Sequence, residues 1–314
     1  MILQTSTDDE NKVSFMTILS DNLKTNYSQM KRITQALIIL RAMVGNFSMA
    51  QSSNSLIFKP KDKIIAEEKL KQFAAKSDLP IADLIVEVGL SFLETPYVIA
   101  SLENGLEERM VINLREMDCT TFAENCLALS RVIKSGKTDF DTYVLELERI
   151  RYRDGIRNQY PSRLHYFSEW ISDNTKKGIV DGTPNKNGEK SDKPINYMST
   201  HPASYPVLKE HPELIPSIAE QEKALSKTGF MYFPKNDIPN LHQHLKHGDI
   251  IALTSSIAGV DVNHVGIILK KGSEFHLLHA PLSGKKVLVS DGPIADFLKP
   301  ESKNSGIMIA RPVF

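Results

Sequence analysis

Two cysteines and nine histidines hold most of the nucleophilic and titratable chemistry available to this 314-residue chain near neutral pH. Cys119 follows Asp118, a good helix N-cap, so it falls in the first turn of a helix. There the unpaired amides and the helix dipole favour a thiolate, and a depressed thiol pKa is the expectation. Cys126 lies seven residues further along the same helical pattern, roughly 10 Å away at about 1.5 Å per residue and too far for a disulfide, so both thiols are expected to be free. Cys119 also sits three residues before Phe122 on the apolar stripe, so alone it reads equally as a core thiol; Cys126 reads as one.

A thiol that acts as a nucleophile needs a base beside it. His264 opens the run His264-Val265-Gly266-Ile267-Ile268-Leu269, and His279 closes Phe275-His276-Leu277-Leu278-His279. If Lys271-Gly272 forms a two-residue turn between these strands, His264 and His279 are directly opposed, with Cβ atoms about 5 Å apart. One ring can then orient the other, as the third member of a triad does. A longer turn would change that register. Either histidine alone reads as a satisfied residue on a half-buried sheet; a capped cysteine with two histidines in register favours catalysis.

Other clusters point elsewhere. His242, His244 and His247 resemble metal-ligand spacing, but on a helix 242 and 244 diverge and no Cys or carboxylate completes a zinc set, so no metal is expected. Ser255-Ser256 lacks the G-x-S-x-G context of a serine nucleophile, and the glycines form no phosphate loop. No cofactor is implied. Lys+Arg and Asp+Glu balance at 38 each, which removes any broad attraction for nucleic acid or an anionic membrane.

These residues must be held by helices followed by strands. Amphipathic helices are expected over 62–76 and 80–93, a strand over 110–114, a helix from Asp118 to Gly136 and another over 138–150. The segment 151–240, rich in Pro, Asn, Lys and Gly, offers two helices (about 163–174 and 211–227) and reads as an insertion packed beside the core. Strands follow at 249–254, 264–270, 275–280, 287–289 and 307–310, with a short helix near 293–299. Helices first and an antiparallel meander after is an α+β pattern. Residues 51–314 are expected to form one catalytic unit: a helical part (55–93), a core (94–150 and 241–314) and the insertion.

Upstream, Met30-Lys31-Arg32, the apolar Ala36-Leu37-Ile38-Ile39-Leu40 and Ser48-Met49-Ala50 have the layout of a signal peptide cleaved before Gln51, although Arg41 interrupts the apolar run. Residues 30–50 are read as that signal and 1–29 as an over-extended start, which places the mature protein in the periplasm or outside the cell. No apolar run reaches the length of a membrane span.

The order Thr95-Pro96-Tyr97, Asp118-Cys119-Thr120, Gly248-Asp249-Ile250, His264-Val265-Gly266 and His279-Ala280 resembles the NlpC-type cell-wall hydrolases over roughly residues 85–314. The stretches 113–122, Arg151-Tyr152-Arg153-Asp154-Gly155 and Ser162-Arg163-Leu164-His165-Tyr166-Phe167 are similar to one branch of them, formerly a domain of unknown function and described as N-acetylmuramoyl-L-alanine amidases. The resemblance implies a papain-like core, with Cys119 as nucleophile, His264 as base and His279 as its orienting partner. It implies muropeptides as substrates, and Tyr97, Asp118 and His165 as residues near them. Thr120-Thr121 stands where the parent superfamily commonly has Ser-Gly, which turns the reading away from its γ-D-glutamyl endopeptidases. That activity on the same triad is the nearest alternative, and a non-catalytic cell-wall binding module is the alternative from another class. Arg153-Asp154 could equally be a salt bridge, with Tyr166, Phe167 and Trp170 as packing. A monomer is expected.

Overall fold

The computed structural model describes residues 56–237, 241–298 and 303–314; the proposed start and signal segments (1–50) lie outside them. After a two-residue strand β1 (Leu56–Ile57), Pro60 opens helix α1 (Pro60–Phe73) from the position where its missing N–H costs nothing. Helix α2 (Ile81–Leu90) follows and presents Leu84, Ile85 and Val88 to the core. The expected strand at 110–114 shrinks to β2 (Met110–Val111), paired parallel to β1. The remainder of that segment is tied to α1 instead: the fully buried Asp62 accepts from Leu114 N (2.9 Å) and Arg115 Nε (3.0 Å).

Helix α3 (Cys119–Lys134) is the centre of the molecule, with every residue from Thr121 to Ile133 buried. A helix apolar on one stripe only could not sit there. Two of its polar residues are paired inside: Glu124 with Arg151 Nε (2.7 Å) and Trp170 Nε1 (3.2 Å), Asn125 with the Tyr143 hydroxyl (2.7 Å). Gly136, with φ of 73°, follows the last turn and allows the chain to leave in the left-handed region. Helix α4 (Phe140–Arg151) returns against it, capped by Asp139.

The segment 151–240 holds helices α5 (Phe167–Lys176) and α6 (Ile215–Thr228), and also three strands that no periodicity in the sequence announces: β3 (Val180–Asp181), β4 (Glu189–Ser191) and β5 (Phe230–Pro234). These join β6 (Ile250–Ser255), β7 (Val262–Lys271), β8 (Glu274–His279), β9 (Leu288–Val289) and β10 (Asn304–Pro312) in one antiparallel sheet, ordered β4-β5-β10-β6-β7-β8-β9 with β3 also on β10. The segment is thus woven into the sheet edge. Its Arg153 pairs with Glu169, not with Asp154 (Nε–Oε1 2.7 Å, Nη2–Oε2 2.9 Å).

Alternation sends Ile250, Ala252, Val265, Ile267 and Leu278 to the sheet face that packs with α3. Ile251, Leu253, Ile268, Phe275 and Leu277 go to the other face, closed by Ile294 and Leu298 of the short helix α7 (Ile294–Leu298). Residues Leu56–Phe314 form one compact unit. Among the described residues, no helix is long and apolar enough to cross a membrane.

Candidate active site

Cys119 is the first residue of α3, and Asp118 is its N-cap as its type requires. Asp118 Oδ1 accepts from Thr121 N (2.8 Å) and Thr121 Oγ1 (2.9 Å), while the Thr121 hydroxyl lies 3.0 Å from Asp118 N in a reciprocal capping box. Ser101 Oγ donates to Asp118 Oδ2 (2.8 Å), which ties the 98–109 loop to the helix start. Both carboxylate oxygens are therefore engaged before any substrate arrives. The Cys119 thiol is within hydrogen-bonding reach of the Val265 backbone and of Thr120. Val265 directly follows His264, so helix start and strand start meet at this cysteine.

The thiol is not activated in the way its position in the helix suggests. Burial pushes its pKa up to about 11, and the adjoining Asp118 carboxylate adds to the rise; hydrogen bonds from Val265 and Thr120 pull in the opposite direction and are outweighed. Desolvation by the strand laid over the helix start defeats the dipole. Cys126 is a buried core thiol, and both cysteines are free.

The two histidines meet, by a different register. Lys271 pairs with Glu274, so the turn is Gly272-Ser273, with glycine (φ 60°) at its first position and not its second. The ladder is displaced by two residues from the direct opposition of 264 and 279; Ile267 pairs with Leu278, which puts His279 beside Gly266. A shift of two preserves the face, and His264 and His279 become diagonal neighbours. His264 Nε2 lies 2.7 Å from His279 Nδ1. Gly266 makes this possible: a Cβ there would stand 2.6 Å from Leu277 Cδ1 and 3.0 Å from His279 Cβ.

Burial lowers His264 to about 4, and burial together with the neighbouring His264 lowers His279 to about 3. Both imidazoles are neutral at pH 7. Phe297 of α7, which no sequence motif marks, sets its ring edge-to-face on His279 (centroids 5.3 Å) and 6.4 Å from His264. Next to this pair a cavity of about 320 Å³ is lined by His279, Pro281, Leu288, Asp291, Asp296 and Phe297, among others.

Tyr97 is held by Tyr97 N donating to Lys285 O (2.8 Å). Burial raises its phenol to about 12, with Cys119 and Asp118 contributing, which places the ring beside the cysteine. His165 has a nearer structural engagement: its Nε2 donates to Tyr160 O (2.8 Å) and its ring packs on Tyr160 at 4.4 Å. Burial and then Arg163 hold it well below its ordinary pKa. The rings of His242, His244 and His247 separate, onto Ser273 O, the Phe233 ring and Lys270 N. Among the described residues no three His, Cys, Asp or Glu side chains are grouped to hold a metal.

A family profile described as "AmiA-like: N-acetylmuramoyl-L-alanine amidase-like" matches residues 87–307, a span that contains Tyr97, Cys119, His264 and His279. The chain belongs to this family. It is similar to the crystal structure of an N-acetylmuramoyl-L-alanine amidase from Bacteroides uniformis ATCC 8492, with 34% identity and a TM-score of 0.71 over 74% of this chain and 99% of that one. A Bacteroides fragilis structure, provisionally described as a xylanase, is 38% identical with a TM-score of 0.68 over 72% of this chain and 99% of that one. A Legionella pneumophila protein at 19% identity and a TM-score of 0.58, covering 80% of this chain and 95% of that one, shares the fold. No curated protein matches.

Proposed function

We propose that this family member is a cysteine hydrolase of the NlpC, papain-like kind that cleaves the amide between N-acetylmuramic acid and L-alanine in muropeptides. The observation that carries the reading is the 2.7 Å bond between His264 Nε2 and His279 Nδ1, on the strand whose Val265 reaches the helix-capped Cys119. With Nε2 engaged, Nδ1 of His264 is the nitrogen left to serve as base.

The resting pair is a neutral thiol and a neutral imidazole. His264 takes the thiol proton as Sγ attacks the lactyl carbonyl, then gives it to the departing alanine amine; water hydrolyses the thioester with His264 again as base. The unpaired amides at the start of α3 face the developing oxyanion, with the Tyr97 phenol, kept protonated by its surroundings, as a further donor. Asp118 acts by holding the helix start, and His165 by supporting the wall that carries Arg163 and Tyr160.

Glycoside hydrolysis uses two carboxylates flanking the sugar bond. Beside Cys119 stand a phenol and one carboxylate committed to a cap, and the strand whose Val265 reaches it carries His264, bonded to His279; no pair of free carboxylates is gathered there among the described residues, which favours amide cleavage. Mass spectrometry of a defined disaccharide tetrapeptide decides: free disaccharide is the expected product, and a sugar still carrying a dipeptide would instead mean an endopeptidase. We propose further that the enzyme is exported and acts as a monomer; the mature protein should begin at Gln51 by N-terminal sequencing and elute as one chain in light scattering.

A further inference from the structure

The strand that carries His264 is irregular at the residue before it. On β6, Leu253 pairs with His264 but the next residue, Thr254, pairs with Val262, so Asn263 is extra and has no partner in that ladder. Packing shows the same thing: Val262 and Val265 are three apart, yet both pack in the core cluster on the α3 face. Strict alternation would send them to opposite faces. This is a β-bulge, a device that bends a strand and re-aims the side chain beside it.

The bulge is held on both sides. Before it, Asp261 Oδ2 accepts from Ser168 N of α5 (2.7 Å), and Asp261 O accepts from Ser255 N (2.8 Å). After it, Val265 returns to a regular pairing with Ala252. Asn263 itself reaches away from its own strand: its Nδ2 donates to Oδ1 of the buried Asn304 (2.7 Å), at the start of β10. β7 and β10 lie on opposite sides of β6, so this bond links the two neighbours of one strand. β10 is irregular at the same level: Asn304 pairs with Ser255 and Gly306 with Thr254, which leaves Ser305 extra. Ser305 Oγ lies 2.8 Å from Thr254 Oγ1. Two bulges thus meet the same end of β6, and the Asn263–Asn304 bond ties one to the other.

His264 reaches His279 diagonally, Nε2 to Nδ1 at 2.7 Å, so its ring has to lean along the strand instead of standing straight off it. An extra residue placed immediately before His264 supplies that lean. We infer that Asn263 is a positioning residue for the proposed base: its insertion into β7 and its bond to Asn304 set the direction in which the His264 ring leaves the strand. The inference rests on the reading of His264 as the base of an amidase, and Asn263 acts through His264, not on the substrate. Deleting Asn263 would leave a regular ladder in which Thr254–Val262, Leu253–His264 and Ala252–Val265 keep their partners and faces. The bulge is therefore dispensable for pairing, and what it adds is direction.

Asn263→Ala, Asn304→Ala and deletion of Asn263, each in the full-length protein, test this. With a defined disaccharide tetrapeptide, kcat should fall about tenfold in each alanine variant and about 10²-fold in the deletion, the effect of a small displacement of a catalytic group, while KM stays within about twofold. The double alanine variant should lose no more than either single one, because both remove one bond. A readout free of turnover is the proton shared by His264 Nε2 and His279 Nδ1, followed by NMR in protein labelled with ¹⁵N-histidine. Its signal should shift or weaken in all of these variants. Asn263→Ala keeps the chain length and decides the matter if the deletion does not fold. An unchanged kcat or an unchanged imidazole signal in folded Asn263→Ala would overturn the positioning role, as would additive losses in the double variant. Wild-type protein that cleaves no muropeptide counts against the amidase reading instead, and the imidazole signal then decides the role of Asn263.

Discussion

His279 meets His264 from a diagonal position in the sheet, Nδ1 to Nε2 at 2.7 Å, with Gly266 directly beside it in the ladder. The contact depends on the missing side chain at Gly266 as much as on the two rings. Gly266→Ala would press a methyl group against Leu277 and His279. Its kcat should fall on the order of 10²-fold or more, the range of a displaced general base, with the chain still folded by circular dichroism. His279→Ala should cost at least as much, and His279→Asn, which can still present an oxygen to His264, should recover part of the loss.

The pH response follows from two neutral partners. The proposed base, His264, is lost on protonation, so kcat/KM should hold from neutral pH into mild acid and fall as pH drops through about 4. Alkylation of Cys119 by iodoacetamide should rise steadily with pH towards about 11, with no plateau at neutrality. A rate plateau below pH 7 would mean a preformed thiolate.

Stability should show the same burial. The unfolded chain binds protons on its histidines below about 6.5, whereas His264 and His279 resist until about 4 and 3. The unfolded state holds more protons in that interval, so stability rises with pH there and is lost as pH falls from about 6.5 towards 3. Denaturant midpoints measured across the interval give the slope directly. Replacing both histidines with Gln should flatten it.

Glu124 and Arg151 meet at 2.7 Å, both almost wholly buried, between α3 and α4. Removing one partner strands the other charge, so Glu124→Ala or Arg151→Ala should each destabilise by about 3–5 kcal/mol in chemical denaturation. Arg151→Ala also leaves Val111 O without its donor. Loss of activity in these variants should follow loss of fold.

Asp118 separates a cap from a substrate contact. Asp118→Ala should cost about 1 kcal/mol of stability, and Asp118→Asn, which can still accept from Thr121 N, much less. If the carboxylate acts only through the helix start, Asp118→Asn should keep KM within about twofold, since amide and carboxylate cap comparably well.

Where one local pattern sufficed, the sequence was legible. Asp118 before Cys119 and Gly136 after Lys134 bound α3 because caps are decided by neighbouring residues. His264 and His279 could be paired because a two-residue hairpin preserves parity. Their register was not legible: glycine serves at either turn position, and the first was used. The three strands of 151–240 are two to five residues long, too short for a period of two to show. The thiol pKa failed for a related reason, since a helix dipole is local whereas the covering strand comes from residues about 145 positions later. Phe297 is placed by long-range packing alone.

We propose that Cys119 performs the cleavage, and single-turnover analysis of a defined disaccharide tetrapeptide tests this most directly. Wild-type protein should release free disaccharide and tetrapeptide through a transient adduct on Cys119, visible by intact-protein mass spectrometry after an acid quench. Cys119→Ala should remain folded and release neither product. Undiminished cleavage by Cys119→Ala, or an adduct on another residue, would contradict the account.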